Sequence, residues 1–144
     1  MKSAELYDRD FYRWTVQNAE LLRAGRASEA DLEHIAEEIE DMGKRERREL
    51  ISRLSVLICH LLKWQKQPER RSKSWSATIA VQRKDLAKLL DEMPSLRRYL
   101  AENLNEAHER AVILASQETF LPMEDFPSTC PYPLNALLDA EFLP

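Results

Sequence analysis

The sequence predicts an all-α single domain of about five helices closed by a Pro-rich C-terminal wrap. Three observations carry this expectation. Apolar residues recur at helical spacing through every long segment, no stretch alternates as a strand does, and only Gly25 and Gly43 are available for tight hairpins. At 144 residues, with 44% hydrophobic and 32% charged content, the chain suits one domain, 1–144, with one core.

The spacing predicts a first helix from about Asp8 to Ala24, with Phe11, Trp14, Leu21 and Leu22 apolar and Gly25 as its stop. Ser28 starts a second, with Asp31 three residues on as a short capping box. Its expected buried stripe is Leu32, Ile35, Ala36, Ile39 and Met42, its outer face is acidic, and Gly43 ends or kinks it. The third runs from about Lys44 to Gln67 and stops at Pro68. Leu50, Leu54, Leu57, Leu61 and Trp64 make one stripe, widened by Ile51, Ile58 and Leu62, so this helix belongs at the centre of the bundle. The fourth, capped by Ser74, carries Trp75, Ile79, Leu86, Leu89 and Leu90 inward as far as the break at Pro94 and Ser95. The fifth runs from about Leu96 to Thr119 on Leu96, Leu100, Leu104, Ala107, Ala111 and Leu114. The core helices thus cover about 8–119. The wrap, 120–144, holds five of the seven prolines yet keeps Phe120, Leu121, Phe126, Tyr132, Leu137, Leu138 and Phe142, with a short helix expected near Leu134–Leu138.

Composition also excludes functions. Two glycines leave no phosphate loop, dinucleotide fingerprint or nucleophile elbow. The polar start "MKSAELYDRDFYRW" has no apolar signal core, and the apolar runs are too short for a membrane span. Two cysteines, Cys59 and Cys130, suit reduced thiols and a cytoplasmic location. No cofactor is expected.

Five stretches, "DFYRW", "LEHIAEEIEDMGKRERREL", "HLLKWQKQPERRSKSWSATIAVQR", "FPSTCPYPL" and the closing "FLP", resemble a bacterial family of unknown function, the domain-of-unknown-function family numbered twenty-nine. The resemblance covers nearly the whole chain. It implies a small all-helical protein and brings with it no activity, substrate or catalytic residue.

Charge is divided unevenly. Between Lys44 and Lys84 twelve Lys or Arg face three Glu, a net of +9; elsewhere nine cations face twenty-two acids, a net of −13. The expected anion-binding side chains in the basic segment are Lys63, Lys66, Arg70, Arg71, Lys73 and Arg83. Trp64 and Trp75 flank them, but both fall on apolar stripes and read as core. The leading expectation is a small non-enzymatic interaction protein, self-associating, whose basic 44–84 segment contacts an acidic or nucleic-acid partner and no membrane.

Two alternatives stand beside it. Arg53 and His60 are seven residues apart on one helix edge, where a cation and an imidazole could grip a phosphate and move a proton. The Arg-x6-His spacing resembles the catalytic motif of the higher-eukaryote-and-prokaryote nucleotide-binding ribonucleases, which implies metal-independent RNA cleavage. The other alternative is a His and carboxylate metal site drawn from His34, Glu38, His60 and His108, since helical bundles build such sites from facing helices. Gln82 falls in register with Ile79 and Leu86, so it must find a partner: Arg53, His60 or a carbonyl at a helix break.

Overall fold

The computed structural model describes residues 2–144. Among them are seven α-helices, three single-turn 3-10 segments and no strand. The helices are α1 (Ser3–Arg9), α2 (Phe11–Arg23), α3 (Leu32–Lys66), α4 (Lys73–Glu92), α5 (Leu96–Glu102), α6 (Leu104–Thr119) and α7 (Leu134–Leu138). The chain forms two compact units, Met1–Arg45 and Glu46–Pro144. No helix among the described residues is long and apolar enough to cross a membrane.

The first unit contains α1, α2 and the opening turns of α3. The single first helix expected from the sequence is two, parted at Asp10. There the backbone leaves helical geometry (φ −151°, ψ 85°), and the Asp10 side chain accepts from the Arg13 amide to start α2. Gly25 follows α2 with φ +73°, the left-handed stop that glycine favours. Ser28 lies in a 3-10 turn and does not start the next helix. Asp31 does, its carboxylate accepting from the His34 amide at 3.4 Å.

From Leu32 the helix runs through Gly43 to Lys66, 35 residues without a break, so the expected second and third helices are one. The expected burial of the stripe on its opening turns is also corrected. Leu32, Ile39 and Met42 are 54%, 62% and 59% exposed, because polar Asp31, His34 and Glu38 engage α1 and α2.

In the second unit the later part of α3 is the centre, as its apolar girth predicts. Leu50, Ile51, Leu54, Leu57, Ile58, Leu61 and Leu62 are all buried. Truncating any one of these to Ala should cost about 2–5 kcal/mol. Ser55 is tolerated among them because its hydroxyl donates back to the Ile51 carbonyl at 2.7 Å. Ile79, Leu86 and Leu90 of α4, Leu100 of α5, and Ala107, Ala111 and Ala115 of α6 close on it. The expected fifth helix is broken at Asn103, which leaves helical geometry (φ −114°, ψ 21°) and donates its side chain to the Tyr99 carbonyl. Leu114, expected inside, is 37% exposed.

The Pro-rich segment completes this core. Phe126, Tyr132 and Leu137 are buried in it, and Leu121, Leu138 and Phe142 pack against it. Tyr132 donates to Gln65 Oε1 at 2.7 Å. The short helix falls at Leu134–Leu138 as expected and packs on α4. Phe120 is an exception: it is 90% exposed at the end of α6.

Candidate functional site

The basic turn between α3 and α4 is built from its own cations. Pro68 lacks an amide donor and stops α3 at Lys66, and Pro68–Arg70 forms one 3-10 turn. Arg71 Nε then donates to the Trp64 carbonyl at 2.8 Å, one of the four carbonyls a helix end leaves unpaired. Its guanidinium lies 4.9 Å from the Trp64 ring centroid. Ser72, not Ser74, caps α4 by accepting from the Trp75 amide at 3.2 Å. Lys63 Nζ sits 4.7 Å from the centroid of the Trp75 ring and 3.0 Å from Glu118 Oε2 on α6. Trp64 and Trp75 are half-buried, each against one of these cations.

The six expected anion-binding residues therefore divide. Lys66, Arg70 and Lys73 are exposed, and their side chains form no ion pair among the described residues. Arg71 is exposed but committed to holding the turn. Lys63 is buried and paired with Glu118, which corrects its assignment to the surface. Arg83 is corrected in the same way. It is buried, and donates to the carbonyls of Leu137 at 2.8 Å, Ala136 at 3.4 Å and Ala140 at 3.5 Å.

Glu118 joins the turn to α6. Partial burial works to raise its carboxyl, but hydrogen bonds from Lys63 and Cys59, with the Lys63 charge, outweigh that and hold it below the ordinary range. Cys59 Sγ lies 3.3 Å from the same oxygen, and burial followed by the Glu118 charge pushes its thiol far up. His60 is half-buried. Its Nδ1 meets the Val56 carbonyl at 2.9 Å, and burial lowers its pKa.

Arg53 is engaged elsewhere on the rim. It reaches Asp85 at 2.8 Å, Glu49 at 3.1 Å and Gln82 at 3.4 Å. Gln82 thus finds one of the three partners its position demands. No hydrogen bond joins Arg53 to His60, and each is satisfied by its own neighbours.

The metal-ligand candidates are not gathered: no group of three His, Cys, Asp or Glu that could hold an ion occurs among the described residues. His34 Nδ1 lies 2.6 Å from Asp31 Oδ2, and Tyr7 donates to Glu38 at 2.5 Å. His108 is buried, and its Nε2 lies 2.7 Å from the Pro127 carbonyl, beside a groove of about 670 Å³ lined by Val112, Ile113, Met123 and Phe126.

Sequence reading missed one constellation altogether. In the first unit Trp14 Nε1 donates to Asp31 Oδ2 at 2.9 Å, and Asn18 is buried between the Trp14 carbonyl and the Asp31 amide. The Tyr7 ring stacks on the His34 ring at 3.9 Å. The available signal was the run of Asp31, His34 and Glu38 at spacings of three and four, a polar stripe along one helix face.

Among known proteins, the family model described as "Domain of unknown function DUF29" matches residues 6–143. No curated protein and no solved structure matches the chain.

Proposed function

The chain belongs to the DUF29 family, and on that premise we propose a small cytoplasmic interaction protein, without catalytic activity, that self-associates and engages an acidic or nucleic-acid partner through its basic 44–84 segment. One observation carries the reading: Lys66, Arg70 and Lys73 stand exposed and unpaired on a turn that Arg71 and Ser72 hold in place. A fixed turn presents three cations without the entropy cost of ordering the backbone that carries them. Each tryptophan beside them already has a cation on one ring face, Arg71 on Trp64 and Lys63 on Trp75. Recognition then rests on charge, and a nucleic acid would be held by its phosphates without base reading.

The test is retention of duplex DNA, single-stranded RNA and a polyglutamate peptide against salt concentration, for the wild type and for Lys66→Glu/Arg70→Glu/Lys73→Glu. Binding should be tightest at low salt, and the triple variant should lose it. For duplex DNA, the slope of log K against log salt should fall by about 3 in magnitude. No retention of any probe at low salt overturns the reading, as does a triple variant that binds unchanged.

A further inference from the structure

The groove between α6 and the Pro-rich segment has a lining whose free polar groups are of one kind. His108 and Val112, four residues apart on α6, form its buried ridge, and Glu109 and Ile113 form the exposed ridge beside it. Met123 and Phe126 supply apolar lining from the chain that follows α6. At about 670 Å³ the groove is the size of a small-molecule site. The His108 ring is 1% exposed, and only one of its nitrogens is satisfied. Nε2 meets the Pro127 carbonyl at 2.7 Å, and a carbonyl only accepts, so Nε2 carries the proton. In the neutral ring Nδ1 is then a bare acceptor, and no donor of the protein reaches it. Buried polar atoms are rarely left so. The groove's charged lining residues, Glu109 and Glu124, are both carboxylates, both exposed, and neither forms an ion pair among the described residues. Arg110, the one cation of α6, does not line the groove.

We propose that this groove binds a small primary amine carried on an aromatic or branched apolar body. An ammonium has three donors and no acceptor. It is the complement of a lining that offers His108 Nδ1, two carboxylates and the Ser128 hydroxyl, which accepts as well. The apolar body lies against Val112, Ile113, Met123 and Phe126, where a methionine adapts to the shape of a ring. An anion is repelled by Glu109 and Glu124, and a neutral ligand forgoes their attraction. Nδ1 is covered by its surroundings, so the donor reaches it only as the lining gives slightly, and the resulting hydrogen bond is a signature of this site alone. The basic turn and this groove carry opposite charge. The groove therefore takes its ligand independently of the partner proposed for the turn.

NMR titration of the full chain tests this with three probes of one shape: phenethylamine, 2-phenylethanol and phenylacetate. At pH 8 and low salt the imidazole is neutral and the alkylamine charged. Phenethylamine should shift the Val112 and Met123 methyl resonances to saturation, with 2-phenylethanol about fivefold weaker and phenylacetate weaker still. The His108 Nδ1 resonance should move upfield as it accepts the ammonium hydrogen bond. Glu109→Gln/Glu124→Gln, at two exposed positions, should keep the wild-type circular dichroism and bring the amine down to the affinity of the alcohol. No saturable shift with phenethylamine overturns the site. Equal affinity for the amine and the alcohol, or a double variant that binds the amine unchanged, overturns the choice of a cation. Saturable binding that leaves Nδ1 unmoved overturns the part given to His108.

Discussion

Arg83 on α4 donates from Nε to the carbonyl oxygen of Leu137 at 2.8 Å, 54 residues further along the chain. The same guanidinium donates to the carbonyls of Ala136 on α7 and of Ala140 just beyond it. One guanidinium therefore ties the Pro-rich segment to the core. Burial pushes its pKa down, but arginine remains charged. Arg83→Met should cost about 1–3 kcal/mol, because buried carbonyls are left unpaired. Arg83→Lys should recover little, since a point donor cannot fork to several carbonyls. Denaturant melts measure the loss, and proteolysis should cut after Phe120 sooner in both variants. An Arg83→Met melt that matches wild type removes this role.

The two half-buried histidines should give the two units opposite responses to pH. The hydrogen bond to Asp31 raises the His34 pKa against partial burial. A raised folded value means that its stabilisation is complete below about 6.5 and is lost as pH rises through that value. Asp31 is the converse: burial raises it, hydrogen bonds from Trp14 and His34 more than offset this, and its stabilisation is lost as pH falls through the lowered folded value. His60 is lowered, first by burial, so its neutral form is stabilising above about 6.5 and that contribution fades in acid. After correction for the intrinsic pH dependence of exchange, protection should rise around Trp14 and fall around Ile58 from pH 8 to 6. His34→Gln should remove the first trend and His60→Gln the second. Imidazole NMR titrations with His60 above His34 would contradict both assignments.

The sequence is most legible where one residue type does one job. Leu50 to Leu62 repeat at helical spacing and are buried as that spacing demands. Phe126, Tyr132 and Leu137 mark the Pro-rich segment as part of the core. Elsewhere periodicity finds a face without saying what the face meets. Leu32, Ile39 and Met42 form a genuine stripe, yet Trp14, seventeen residues before its partner Asp31, turns the polar side inward. The breaks at Asp10 and Asn103 lie within continuous helical patterns and carry no Gly or Pro. By residue type alone Arg83 and Lys63 belong with the anion-binding cations of the basic segment. Their positions said otherwise, since Arg83 is four residues after Ile79 and three before Leu86, and Lys63 four after Cys59. Where a cation falls on a buried stripe, the question it raises is which acceptor it must find.

Phe120 holds backbone strain. Its φ of +63° is the left-handed conformation that closes α6, and its ring is 90% exposed. Around it Thr119 Oγ1 donates to the Ala115 carbonyl at 2.6 Å and accepts from the Leu121 amide at 3.3 Å, while Ser116 donates to the Leu121 carbonyl at 2.6 Å. The geometry is thus fixed by its neighbours and needs no phenyl ring. Phe120→Gly should stabilise by about 0.5–1 kcal/mol, the relieved strain exceeding the entropy that glycine adds to the unfolded chain. A lower melting temperature for this variant would mean that the ring contributes a contact.

Cys59 should be chemically silent while the protein is folded. The residue is 1% exposed, and burial together with the Glu118 charge keeps its thiol protonated. The thiolate is the form that attacks a disulfide reagent, so native labelling at pH 8 must wait for the chain to open. Cys130, half-buried, is raised by burial alone and should label first. Glu118→Gln acts on both charge and access. It removes the acid that disfavours the Cys59 thiolate but leaves buried Lys63 without its partner, and should destabilise by about 1 kcal/mol, a value discounted for the exposure of Glu118. If opening controls the reaction, Cys59 labelling should quicken in proportion to that destabilisation. Labelling of Cys59 in the folded wild type at the rate of a free thiol would break the argument.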